Sequence, residues 1–281
     1  MNTSEIALPI RPGEHACCRF GRPEDRERLT VAFILAGLGR GYKVTYLHEP
    51  DSTDGMIERL KAADPQVAPA LASGQFELES ARDTYLPDGT VDPTRMAATV
   101  RSKHRLALAE GFTGIAITGD VSVLAGEPDG DTLARYEQEF EDEPFDASRV
   151  ILCHHPLGRP PAARQADPEC RHDVDVSPEL APIGREGSVS AARVRSSDAL
   201  RLAGELDFHG APAVSEVLAA HFHGTLRLDL ADLTYVDVAG MRALRGRTGQ
   251  PVAIDGASEA VMRLAELLAW DTDPDVDLRA A

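Results

Sequence analysis

Short, wholly apolar segments alternate with helix-period segments along the first half of this 281-residue chain, and no other feature constrains its fold as much. Residues 24–39, EDRERLTVAFILAGLG, place Leu29, Ala32, Phe33, Ala36 and Gly37 at the spacing of one helix face. KVTYL, Lys43–Leu47, follows as a strand rich in β-formers. A helix over Asp54–Ala63, a proline-broken stretch and a strand over Phe76–Glu79 repeat the pattern. So do a helix over Pro93–Glu110 with the strand GIAIT, Gly114–Thr118, and a polar helix near Thr132–Glu141 with the strand RVILC, Arg149–Cys153. Strands apolar on both faces need cover on both faces, and parallel neighbours need a crossover between them. The expected fold class is α/β, a mainly parallel sheet covered by helices and joined by right-handed crossovers.

The pattern breaks after Cys153. Six prolines fall between Pro156 and Pro182, which marks a closing segment and linker. Strands over Val189–Val194, Leu200–Leu206, Leu226–Leu230 and Val252–Ile254 then alternate with helices over Pro212–Ala220, from Ala239 to about Gly246, and over Ser258–Ala269. The tail after Asp271 is acidic and expected to fray. This predicts one domain over residues 1–160, a linker over 161–187 and a small α/β domain over 188–281.

A formal net charge of -17 sets the chain against nucleic acid, because no basic stripe offsets the carboxylates: Arg22, Arg26 and Arg28 alternate with Glu24, Asp25 and Glu27. No apolar run approaches the roughly 20 residues that span a bilayer, and MNTSEIALPIRPGEH lacks the basic and apolar regions of a signal peptide. Cys17, Cys18, Cys153 and Cys170 show no disulfide framework, so the expected compartment is the reducing cytoplasm.

GEHACCRFGRPEDRERLTVAFILAGLGRGYKVTYLHEP resembles the first βαβ unit of RecA-like ATPases of the circadian-clock type. More narrowly, it resembles the MEDS sensory domain found fused to bacterial regulators. Gly13, His15 and Cys17 in GEHAC carry that resemblance, with Tyr85 and Asp92 in TYLPDGTVDPTRM, Gly119-Asp120, Tyr136-Glu137, and Cys153 in ILCHH. The resemblance implies a RecA-like sensory domain over roughly the first 160 residues. The phosphate chemistry of such a frame needs a glycine-rich loop and a Lys-Ser/Thr pair. Phe20-Gly21-Arg22-Pro23-Glu24-Asp25-Arg26 has one glycine, a proline without an N–H, and two carboxylates at the helix start, where they are expected to satisfy the free amides. Nucleotide hydrolysis is therefore not expected.

The His and Cys residues admit a zinc or thiol reading, but none shows the paired Cys-x-x-Cys spacing of a closed site, and no metal or other cofactor is expected. In an open parallel sheet, ligands bind beyond the carboxyl ends of the strands. Loops there would bring together His15, Cys17 and Cys18, Gly21 and Arg22, and His48 and Glu49. Asp120, Tyr136 and Glu137, Cys153 and His154 complete that candidate pocket. A small-ligand pocket and a decayed one, with the domain a dimer or docking platform, both stay open. No GxSxG, HExxH or paired-carboxylate arrangement points to catalysis.

In the second domain, LDLADLTYVDVAGMRAL, Leu228–Leu244, reads as a buried strand, a polar turn, a short apolar run and then Asp237-Val238-Ala239-Gly240 opening a helix. That order resembles the STAS domain of anti-sigma factor antagonists, as does Gly204-Glu205-Leu206-Asp207 before the first helix. The resemblance implies docking on an anti-sigma factor, a histidine-kinase-like protein, through Asp207, Asp237, Val238, Ala239, Gly240 and Met241. It also implies a phosphorylatable Ser or Thr after Asp237, yet Val238 has no hydroxyl. Gly246, Gly249 and Pro251 cut the following helix to about two turns. The expected function is a non-enzymatic bacterial signalling protein that acts by protein–protein contact under a sensory domain. A nucleotide-binding protein or enzyme on the RecA-like frame, or a zinc or thiol sensor, are the alternatives.

Overall fold

The computed structural model describes residues 6–48, 53–120, 135–136, 138–139, 146–156, 172–180, 189–221, 224–246 and 250–280. The chain divides into two compact units. The first is Ile10–Val174; the second is Asp175–Ala281 together with residues 6–9.

The first unit opens with β1 (His15–Phe20), α1 (Pro23–Gly39), β2 (Lys43–His48), α2 (Thr53–Ala63) and α3 (Val67–Ser73). It continues with β3 (Phe76–Ser80), α4 (Ala81–Tyr85), α5 (Pro93–Ala109), β4 (Ile115–Asp120) and β5 (Arg149–Pro156). The strands are parallel in the order β3-β2-β4-β5-β1. The apolar face read from the sequence of α1 is its buried face, with Leu29, Ala32, Phe33, Ala36 and Gly37 all inside. Gly37 permits the close approach: a Cβ there would meet Ala116 and Val44 at 3.0 Å. A second layer of core, built on Met96, Ala97 and Val100 of α5 with Ile117, Ile151 and Cys153, covers the other face. Pro93 at the start of α5 has no N–H to satisfy, and Asp92 caps the amide of Arg95 at 3.2 Å. The proline-broken stretch holds α3, which stops at Gly74 in the left-handed region (φ 75). Only part of the polar helix expected near Thr132–Glu141 lies within the described residues.

A short strand, β6 (Val174–Val176), and a 3-10 turn at Pro178–Leu180 stand at the passage between units. The second unit then runs β7 (Val189–Val194), β8 (Ala199–Leu206), α6 (Ala211–His221), β9 (Leu226–Val236), α7 (Val238–Arg245), β10 (Val252–Ala257), α8 (Glu259–Leu267) and β11 (Val276–Ala280). β7 pairs antiparallel with β8; β8, β9, β10 and β11 are parallel. Leu200, Leu202, Leu228, Leu230 and Ile254 from the strands enclose one core with Val214, Met241, Leu244 and Val261 from the helices.

Three features depart from the sequence expectation. The polar turn inside LDLADLTYV is a bulge in one continuous strand: three residues of β8, Arg201 to Ala203, stand opposite four of β9, Asp229 to Asp232, and the Asp229 carboxylate takes the Ala231 N–H at 3.2 Å. The acidic tail does not fray. Val276 and Leu278 pack on the core while Arg245 holds Asp273 at 3.0 Å, and this seats β11 beside β10. Residues 6–9 join the second unit because its polar core needs their carbonyls. Buried Arg201 reaches the Pro9 carbonyl at 3.2 Å as well as Asp229 at 3.1 Å, and the Ser190 hydroxyl donates to Ala7 at 3.0 Å.

Candidate functional site

At the start of α1 the loop after β1 is closed by charge. Arg22 donates to both carboxylate oxygens of Asp25 at 2.8 and 3.0 Å, and Arg28 bonds the same group. Asp25 is buried although Arg22 is largely exposed. Arg22 at the N-cap makes no side-chain cap bond, and Asp25, one of the two acidic residues expected to satisfy the amides, is engaged by Arg22 and Arg28. Pro23 has no N–H, and the N–H groups of Asp25 and Arg26 turn back to the Arg22 carbonyl at 3.2 and 3.5 Å. Arg26 lies over the Phe20 ring at 5.3 Å. The arginines that a nucleotide would recruit already have partners.

His15, Cys17 and Cys18 were expected in a loop at the carboxyl end of the sheet; they lie inside β1 and are buried. Strand alternation sends Cys17 and Cys18 to opposite faces. On the α1 face, the Thr118 and Thr30 hydroxyls donate to the carbonyls of Leu152 at 3.0 Å and Arg26 at 2.8 Å. His154 Nε2 stands 2.8 Å from the Thr118 hydroxyl, and its Nδ1 has no partner among the described residues. Burial holds this imidazole neutral, its pKa pushed down to about 3, with Arg26 and His155 adding to the effect. On the α5 face, His15 Nε2 stands 3.3 Å from Cys153 Sγ, and its ring lies 4.1 Å from that of His172. His172 comes from 157 residues further along the chain and is not among the residues that the sequence grouped into the candidate pocket. Tyr136 is buried edge-on against Tyr85, with ring centroids 5.9 Å apart. Gly21 is exposed and His48 half-buried. Glu49, Glu137 and the side chain of Asp120 lie outside what the structure describes.

In the second unit Asp237 joins two chain segments. One oxygen caps α7 through the Gly240 N–H at 2.7 Å, and the other accepts the Phe208 N–H at 3.0 Å. Asp207 folds the neighbouring turn by accepting from His209 at 2.9 Å and Gly210 at 3.1 Å. Gly240 lets α7 sit against β8, since a Cβ there would lie 2.5 Å from the Leu206 carbonyl oxygen. The result is an exposed apolar pair, Phe208 at 62% and Val238 at 42% accessibility, on segments linked by one carboxylate. Phe208, which sequence reading passed over inside a turn, stacks on His209 at 3.7 Å. Met241 does not belong to this face: it is fully buried in the core of the second unit. α7 is eight residues long and ends at Gly246, as the sequence indicated. Thr234, the nearby hydroxyl, donates to the Gly204 carbonyl at 3.0 Å.

A family model described as MEDS, the methanogen/methylotroph, DcmR sensory domain, matches residues 14–173. A second, described as Mlab, STAS domain, matches residues 189–279. No curated protein matches the chain. Among solved structures, the flagellar accessory protein FlaH from Methanocaldococcus jannaschii is similar at 14% identity and a TM-score of 0.42, over 66% of this chain and 79% of that one. No helix among the described residues is long and apolar enough to cross a membrane.

Proposed function

We propose a function from one premise: the chain belongs to the family of MEDS sensory domains and carries a STAS domain behind it. These are regulatory domain families, and together they support a signalling role of the anti-sigma-antagonist kind. The chain acts as a non-enzymatic regulator whose STAS unit binds a protein partner, an anti-sigma factor of the histidine-kinase-like class, while the MEDS unit sets when it does so. The observation that carries this reading is the Asp237 carboxylate, which ties together the two backbone segments that carry exposed Phe208 and Val238. A rigid aromatic and an apolar neighbour over a satisfied polar frame suit a docking anchor. Val238 at the phosphoacceptor position makes that docking independent of phosphorylation. For the MEDS unit to control it, its ligand must favour one of two states of the protein.

Binding to a purified cognate anti-sigma factor tests the reading. Val238→Asp changes only an exposed side chain, so folding should be unaffected, while affinity should fall by about 10-fold or more. Equal affinity of wild type and V238D would remove this face from the interaction.

A further inference from the structure

We infer that His15, Cys153 and His172 form a binding site for a thiolate-seeking transition metal of the zinc class. All three are buried, and one ligand atom from each lies within 4.8 Å of the other two. Zn–N and Zn–S bonds of about 2.0–2.1 and 2.3 Å place ligand atoms on one tetrahedral ion about 3.3–3.6 Å apart. The 3.3 Å separation of His15 Nε2 and Cys153 Sγ already meets that figure, and side-chain adjustments of about 1 Å bring in the third. Two imidazoles and a thiolate leave a fourth position to water or to His155, which stands edge-on to His172 with ring centroids 5.6 Å apart and is only half-buried.

The backbone is built to hold this arrangement. His15 donates its N–H to the Asp173 carboxylate at 2.8 Å, and Asp173 returns its own N–H to the His15 carbonyl at 2.8 Å. This two-way clamp sets His172 beside His15 across a sequence distance that no local element bridges. Cys153, in the middle of β5, is fixed by the register that pairs it with Cys17 of β1. The donor set, two nitrogens and one sulfur from buried side chains, favours zinc-class ions over magnesium or calcium, which take oxygen ligands. On binding, the Sγ–H bond of Cys153 breaks, its proton passes to water, and the sulfur lone pair forms the metal bond. The site lies within the first unit and does not depend on whether the STAS face docks a partner.

Titration of untagged full-length protein with Co²⁺ tests the assignment. One equivalent should produce a near-ultraviolet thiolate-to-metal band with intense visible bands of tetrahedral cobalt. Cys153→Ser should abolish the thiolate band, and Asp173→Ala should weaken binding by about 10- to 100-fold. Cys18→Ser, on the opposite face of β1, should leave both signals intact. Circular dichroism reports folding, and His172→Gln carries the affinity readout if C153S does not fold. No band in wild type, or a thiolate band that persists in folded C153S, would overturn the site.

Discussion

The starts of α1 and α7 are two solutions to the same physical problem. Each is a helix N-terminus with partial positive charge, following a strand, at a place where related chemistry would involve phosphate. At α1, Asp25 turns away from the amides and is buried under two arginines. At α7, Asp237 caps the helix and also takes an amide from the preceding loop. The first arrangement consumes its charges and closes the surface. The second uses one carboxylate to leave Phe208 and Val238 facing water. At the first, Arg22 and Arg28 are engaged by Asp25; at the second, Val238 offers no hydroxyl to a phosphoryl group.

Substitutions at the two places should separate them. The largest effect belongs to Gly240→Ala, whose Cβ would meet the Leu206 carbonyl oxygen at 2.5 Å; urea denaturation should register a loss of about 3 kcal/mol. Asp25→Ala strips two arginines of their buried partner and should cost about 2 kcal/mol, since both arginines still reach water. Asp237→Ala removes an N-cap and a loop contact for about 1–2 kcal/mol, and its larger consequence should be lost partner binding as the Phe208 segment comes free. If D237A binds normally, the carboxylate is a cap alone and the contrast between the two helix starts collapses. The smallest expected response is to nucleotide: millimolar ATP should shift the melting temperature by less than about 1 °C, because Arg22 and Arg28 are engaged by Asp25.

Most of the architecture could be read from periodicity. The α1 face from Leu29 to Gly37 and the short apolar strands need no long-range information. Neither does the stop of α7 at Gly246. What escaped was long-range pairing. The tail looked frayed because its acidity hides the inward pair Val276 and Leu278, which matter only once β10 is beside them. Residues 6–9 answer the needs of Arg201 and Ser190, almost 200 positions away. At the sites, Asp237 was legible from its place before a helix, while Met241 was misplaced because a four-residue motif does not say which side of a helix turn faces in. The meeting of His172 with His15 and Cys153 has no local sequence signal.

The central claim, that partner docking occurs at the Phe208–Val238 face without phosphorylation, is tested most directly by photo-crosslinking in the native cell. A photoreactive amino acid would replace Phe208, Val238 or, as a control on the same unit, Leu267, which is 81% exposed on α8. The same unphosphorylated partner adduct is expected from Phe208 and Val238, and none from Leu267. An adduct from Leu267 with none from the other two, or one that requires phosphate on residues 234–241, would contradict it.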